Sequence, residues 1–167
     1  MVLTPILPEE EKNNKSEPTL HIVGPMIKTD DVNKNKRIYE RSDMEREVSR
    51  YTDEMINTKR AMGELNHPTA AEVDLERACH ILTDLKQEGN IFIGKSKVLS
   101  TPCGQIVKSL IKDGCSVGMS TRALGEIQQE GDVGKVSNVK LIAIDCVADP
   151  SYSDAFVNGI LESKQWI

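Results

Sequence analysis

Three short segments concentrate side chains able to do chemistry: Gly63-Glu64-Leu65-Asn66-His67-Pro68, Gly118-Met119-Ser120-Thr121-Arg122-Ala123-Leu124-Gly125 and Ile144-Asp145-Cys146-Val147-Ala148-Asp149-Pro150-Ser151. They supply a histidine, a serine in a glycine-flanked stretch, and an aspartate in an otherwise apolar run. A serine hydroxyl becomes nucleophilic when a neighbouring base takes its proton, and an imidazole does this best when an acid fixes its tautomer and stabilises its charge. His67, Ser120 and Asp145 are therefore a coherent set for acyl transfer, with Asp149 as the fallback acid. Each also has a plain structural reading: His67 as a strand-end cap, Ser120 as a small packing residue, Asp145 as a satisfied strand-end acid. Cys115 or Cys146 as nucleophile with His67 is a further alternative, weakened because cysteine often serves as a small buried apolar residue.

Positioning these groups falls to strands. If Cys115 to Arg122 is a strand, Cys115, Val117 and Met119 face the core while Ser116, Gly118, Ser120 and Arg122 share the other face. A glycine beside the serine lets a substrate backbone approach closely. Lys135 to Val147 reads as a partner strand, with 125–134 as a polar connection. Asp149-Pro150-Ser151 reads as a turn, and the last dozen residues as a short helix or a loose end. Upstream, Thr19 to Ile27 has the β-branched content of a strand and Asp30 to Lys36 is a polar turn region. Arg77 to Leu85 and Asn90 to Leu99 flank a hairpin turn at Gln87-Glu88-Gly89-Asn90; the first arm also fits a helical period, but its hairpin partner favours strand. Ala61 to Leu65 runs into Asn66-His67-Pro68, where proline ends regular pairing because it has no N–H.

Two helices have clear grammar. Ser42 with Glu45 forms a capping-box signature, followed by an apolar stripe at Met44, Val48, Tyr51 and Met55. Thr101 caps a second helix from Pro102 to Asp113, closed by Gly114, with Ile106, Val107, Leu110 and Ile111 as its buried face. Several strands and two helices without strict alternation indicate a β-dominated α+β domain, a barrel or sandwich with helices packed outside.

The whole chain is consistent with that scale. Its 167 residues suit one domain, with 1–18 as a flexible arm, 19–157 as the domain and 158–167 as a tail. The net charge of −5 argues against a general nucleic-acid binder. No apolar run is long enough for a membrane span, and Met1 to Pro8, leading into Glu9-Glu10-Glu11, does not read as a signal peptide. The cysteines at 79, 103, 115 and 146 have no Cys-x-x-Cys spacing and read as reduced thiols in a cytosol-like compartment. Only Cys79 and His80 are adjacent among candidate zinc ligands, and neighbours in a strand or helix point apart, so no metal site and no cofactor is expected.

GELNHP, GMSTRALG and DCVADPS, in this order and spacing and with Asn33 to Glu40 (NKNKRIYE) ahead of them, resemble the prohead core protein proteases of T-even-like phages. That family is similar, more distantly, to other phage prohead proteases and to the herpesvirus capsid protease, assemblin. The resemblance spans about residues 20 to 160, and four ordered blocks are more specific than any one. It implies a serine endopeptidase that trims scaffold and capsid proteins inside the immature head, in the infected host cytoplasm, on a small orthogonally packed β-barrel surrounded by helices. His67 matches the family's catalytic histidine and Ser120 its nucleophile. The herpesvirus branch uses a second histidine after the serine; this chain has none after His80, so Asp145, or failing it Asp149, takes that place. Backbone N–H groups near Thr121, with Arg122 supporting the loop, are the expected oxyanion donors.

The resemblance further implies cleavage after glutamate two residues beyond Leu or Ile. Leu7-Pro8-Glu9, Ile38-Tyr39-Glu40, Leu124-Gly125-Glu126 and Ile160-Leu161-Glu162 fit this pattern. Self-processing is expected at Glu162 and at Glu9, where loose ends are accessible. The acidic specificity implies a basic pocket. A homo-oligomer is allowed; no nucleic-acid or membrane partner is expected. The competing reading is a non-catalytic capsid-assembly or scaffold-binding domain of the same fold.

Overall fold

A computed structural model describes the backbone of residues 19–162 and the side chains of 19–155; the expected arm at 1–18, Glu9 within it, and 163–167 lie outside the described residues. Among the described residues, eight strands form one sheet: β1 (Thr19–Lys28), β2 (Arg37–Tyr39), β3 (Met62–Glu64), β4 (Ala78–Glu88), β5 (Ile91–Val98), β6 (Val117–Glu130), β7 (Val133–Val147) and β8 (Phe156–Glu162). Their order is β2-β7-β6-β8-β1-β5-β4-β3. β2 runs parallel to β7, and the other neighbouring strands pair antiparallel. Helices α1 (Arg41–Tyr51) and α2 (Pro102–Lys112) complete a β-dominated mixed architecture. The two ends of the strand order approach each other, because Leu65, just past β3, forms a parallel bridge with Cys146 on β7.

Alternation explains most of the core. Leu20, Ile22, Met26 and Ile27 of β1 are buried, and a register shift between Pro25 and Ile27 turns two consecutive side chains inward. They pack with Met44, Val48 and Tyr51 of α1, Leu82 of β4 and Met119 of β6. As expected, residues 78–88 pair as strand with β5 through a tight turn at Gly89-Asn90. α2 starts as its sequence indicates, with the Thr101 hydroxyl accepting from Gly104 N–H at 3.1 Å.

Several local expectations are overturned. Ser42 lies inside α1; Glu40 is its N-cap and makes no side-chain cap. The orphan N–H of Arg41 is instead satisfied by Asp30 Oδ1 at 3.0 Å, and Glu45 binds Arg41 at 2.8 Å. A carboxylate brought in by the fold thus replaces the local box. Met55 falls in a wider π-turn over Thr52–Ile56 but still packs against the core, as the stripe indicates. On α2, Val107 and Gly104 face the core while Ile106 and Leu110 stay exposed, because the helix packs through a narrower face. Cys115 is exposed and precedes β6, since its N–H closes the end of α2 on Leu110 O. Residues 125–134 are not a loop: β6 and β7 continue to a two-residue turn at Gly131-Asp132. The side chains there are polar because both faces of this ribbon meet solvent, and backbone pairing holds it. Finally, 156–162 forms β8, so the segment expected as helix or loose end is a strand, and Glu162 pairs with Thr19 at its close.

Candidate active site

His67, Ser120 and Asp145 arrive from three elements. β6 and β7 pair in a register that sets Ser120 directly opposite Asp145, so the two side chains share one face of the sheet. His67 comes from the segment after β3. Gly63 permits this approach: a Cβ there would stand 2.0 Å from Ile144 O and 2.1 Å from His80 Nε2. Asn66 then adopts a left-handed conformation (φ 65°), which asparagine tolerates, and donates its N–H to Cys146 O at 2.7 Å. That turn carries the chain off the sheet at His67, as Pro68 requires.

His67 Nδ1 lies 2.8 Å from Asp145 Oδ2. Asp145 is fully buried and accepts three more hydrogen bonds: Glu64 N–H at 2.9 Å, Arg122 Nε at 3.0 Å and an Arg122 terminal nitrogen at 3.2 Å. A carboxylate so surrounded by donors is an acceptor only, so Nδ1 carries the hydrogen and donates it. Nε2 is left with its lone pair, the form a general base needs. The imidazole is 39% exposed, which leaves its outer edge open to a cleft.

That cleft has a volume of about 410 Å³ and is lined by His67, Ser120, Thr121, Lys34, Arg37 and Ser151, among others. The Ser120 hydroxyl is hydrogen-bonded to Ser151 Oγ at 3.1 Å and not to the imidazole. Catalytic hydrogen bonds are often loose before substrate binds. Gly118 brings the Ser151 segment in, since a Cβ there would lie 2.7 Å from Pro150 Cδ. Asp149, the fallback acid, is exposed at the cleft rim and pairs with Lys34, away from the imidazole. Cys146 is buried against Met119, and neither it nor Cys115 lines the cleft.

Arg122 has no donor free for an oxyanion. Its five N–H donors are all engaged: two terminal ones on Ala70 O and Glu72 O at 2.9 and 3.2 Å, two on Glu64 Oε2 and Asp145 Oδ1, and Nε on Asp145 Oδ2. It is a buried tie between β6, β7 and the 70–72 loop. Sequence reasoning gave no role to Glu64 or Ser151, although both sit inside the segments it singled out. An acid three residues before His67 was the available signal for Glu64.

Cys79, His80 and Cys146 cluster beneath β7 with their ligand atoms within 4.8 Å. Both His80 nitrogens are occupied, Nδ1 by Ser96 Oγ and Nε2 by Ile144 O, each at 2.6 Å. Nε2 must donate to that carbonyl and Nδ1 must accept from the hydroxyl, so the ring offers no lone pair to a metal. Burial pushes the His80 ring toward its neutral form, against the Ile144 carbonyl and Asp145, which favour the charged one.

Residues 1–165 match the family model described as prohead core protein serine protease. The prohead core protein protease of Enterobacteria phage T4 is 36% identical over 146 residues, covering 84% of this chain and 69% of that protein. The solved structure of the bacteriophage T4 capsid assembly protease, gp21, superposes with a TM-score of 0.75 at 33% identity, over 78% of this chain and 83% of that one.

Proposed function

Since the chain belongs to the prohead core protein serine protease family, we propose that it is a serine endopeptidase of capsid maturation whose triad is Ser120, His67 and Asp145. The observation that carries this reading is the 2.8 Å contact of His67 Nδ1 with a buried, four-times hydrogen-bonded Asp145, opposite Ser120 on the neighbouring strand. His67 Nε2 takes the Ser120 proton as Oγ attacks the scissile carbonyl, then gives it to the leaving amine. Asp145 holds the ring and stabilises the imidazolium. The attack requires the Ser120 hydroxyl to leave Ser151 and turn to the imidazole. Backbone N–H groups around Thr121 are the oxyanion donors in this scheme, a role Arg122 has no free donor to share.

The substrates are capsid and scaffold proteins, cut inside the prohead after glutamate in (Leu/Ile)-x-Glu sequences. Lys34 and Arg37 support an acidic specificity, because they bring positive charge to the cleft wall beside Ser120. Lys34 is already paired with Asp149, which leaves Arg37 the better candidate for the substrate carboxylate. Beyond Met119, β8 no longer pairs with β6 among the described residues, which offers an edge for an extended substrate strand. Self-processing at Glu162 requires the end of β8 to release Thr19 first. The curled strand order, with Leu65 bridging to Cys146, supports an orthogonally packed barrel.

Cleavage of a peptide containing Ile-x-Glu, compared with its Ile-x-Gln counterpart, tests the reading. Wild type cuts after glutamate only, and Ser120→Ala cuts neither. Equal cutting by Ser120→Ala overturns Ser120 as the nucleophile, and no cutting by any form favours the non-catalytic assembly domain.

A further inference from the structure

Glu64 is the residue the mechanism above leaves idle, and its surroundings are unusual. The side chain is fully buried, shares Arg122 with Asp145, and lends Asp145 its own backbone N–H. Oε2 accepts from Arg122 at 2.8 Å and from Asp74 N–H at 3.2 Å. Oε1 has no hydrogen bond among the described residues, and the nearest charged donor is Arg77 Nε at 3.5 Å. Oε1 therefore faces a cation and no hydrogen-bond partner.

We propose that Glu64 is a positioning residue that keeps Asp145 effectively anionic by sharing the charge of Arg122. The proposal rests on His67 being the general base. Asp145 and Glu64 carry one negative charge each and Arg122 one positive charge, so the buried trio has a net charge of −1. Protonating His67 brings the group to neutrality. Without Glu64, the two-pronged contact of Arg122 would by itself neutralise Asp145, and an imidazolium would then add an uncompensated charge beside a buried site. Arg122 remains necessary, because it is the cation that both carboxylates bond. Glu64 thus sets how well His67 holds the proton that it takes from Ser120.

The other charged or titratable groups around the ring stay constant in a Glu64 variant. On β7, β4 and α1, Cys146, His80 and Tyr51 lie buried near Asp145. Arg77 flanks Glu64 from the turn before β4, and Lys34, Arg37, Tyr39 and Asp149 face the ring across the cleft. None of them substitutes for a carboxylate on Arg122.

The experiment follows the His67 ring by NMR through a pH titration in the Ser120→Ala background, and kcat/KM against pH in the active protein. Glu64→Gln keeps the size of the side chain and an acceptor for Arg122 but removes the charge. The expected result is that His67 titrates about one pH unit lower, the shift ordinarily produced by a lost partly buried charge. The acid limb of kcat/KM moves down by the same amount and the plateau kcat falls. Glu64→Asp restores the titration toward the parent, and Arg77→Gln, at a half-exposed position, moves it upward. A purely structural Glu64 lowers activity without moving the His67 titration, and that result overturns the proposal, as does an unchanged titration in both Glu64→Gln and Arg77→Gln. Should Glu64→Gln not fold, the milder Glu64→Asp is read instead: a His67 titration lower than the parent's supports the proposal, and an unchanged one overturns it. Failure of the protease reading is distinguishable: wild type then cleaves no peptide, while the His67 titration still responds to Glu64.

Discussion

Asp145 does two jobs with its two oxygens. Oδ2 orients His67 while both oxygens hold Arg122. Asp145→Asn therefore acts on both rate and stability. An amide in that position favours the wrong imidazole tautomer, which in a comparable triad lowers kcat about 10⁴-fold. It also leaves Arg122 and Glu64 as a buried pair with an imperfect third member, and breaking such networks costs about 3–5 kcal/mol. Steady-state kinetics and urea midpoints on the same variant separate the two effects. At Gly118, an added methyl presses on Pro150. Gly118→Ala is expected to lose about 1–3 kcal/mol in stability, as overpacked sites do, and to displace Ser151 from Ser120; thermal melts and kcat check this. The segments holding His67, Ser120 and Asp145 stood out by residue type and order, while the roles expected of these residues came from the family resemblance those segments carry. The Glu64 and Ser151 contacts were not, since they join residues 81 and 31 positions apart through strand register that no local pattern encodes.

At the scale of elements, His80 pins three strands together: it sits on β4, accepts from Ser96 of β5 and donates to Ile144 O of β7. Its folded-state titration lies below the ordinary value of 6.5, chiefly because burial disfavours the charged ring. The unfolded chain therefore takes up a proton first as pH falls. The stabilisation is complete above about pH 6.5 and is lost as pH drops through the folded value. Melting temperature should fall between pH 7.5 and 5.5 in wild type, and His80→Gln should flatten that slope. Element boundaries show what sequence patterns read well. β1, the 78–98 hairpin and α2 were recoverable because alternation, a tight turn and a local cap all lie within a few residues. The start of α1 was misread because its cap is Asp30, eleven residues upstream. The β6–β7 ribbon was misread because its β6 arm is exposed from Leu124 to Glu130, and polarity alone then looks like a loop.

For the molecule as a whole, the strand order matters more than any one strand. It brings the segment after β3 onto β7, where Asn66 and Leu65 bond Cys146, and so delivers His67 to a strand pair formed much later in the chain. The cleft this creates is lined by Lys34 and Arg37 although the protein carries a net charge of −5. Arg37→Glu should raise KM for substrates with glutamate at the cleavage site by about tenfold or more, with kcat little changed. It should also weaken the salt dependence of kcat/KM, because the attraction it removes is screened by ions. The central claim is that Ser120 is the nucleophile activated by His67. It is tested most directly by reacting the protein with a fluorophosphonate and locating the adduct by peptide mass spectrometry. The adduct should form on Ser120, vanish in Ser120→Ala, and form far more slowly in His67→Ala. An adduct on Ser151 or on another residue, or labelling of Ser120 at an unchanged rate without His67, would contradict the account.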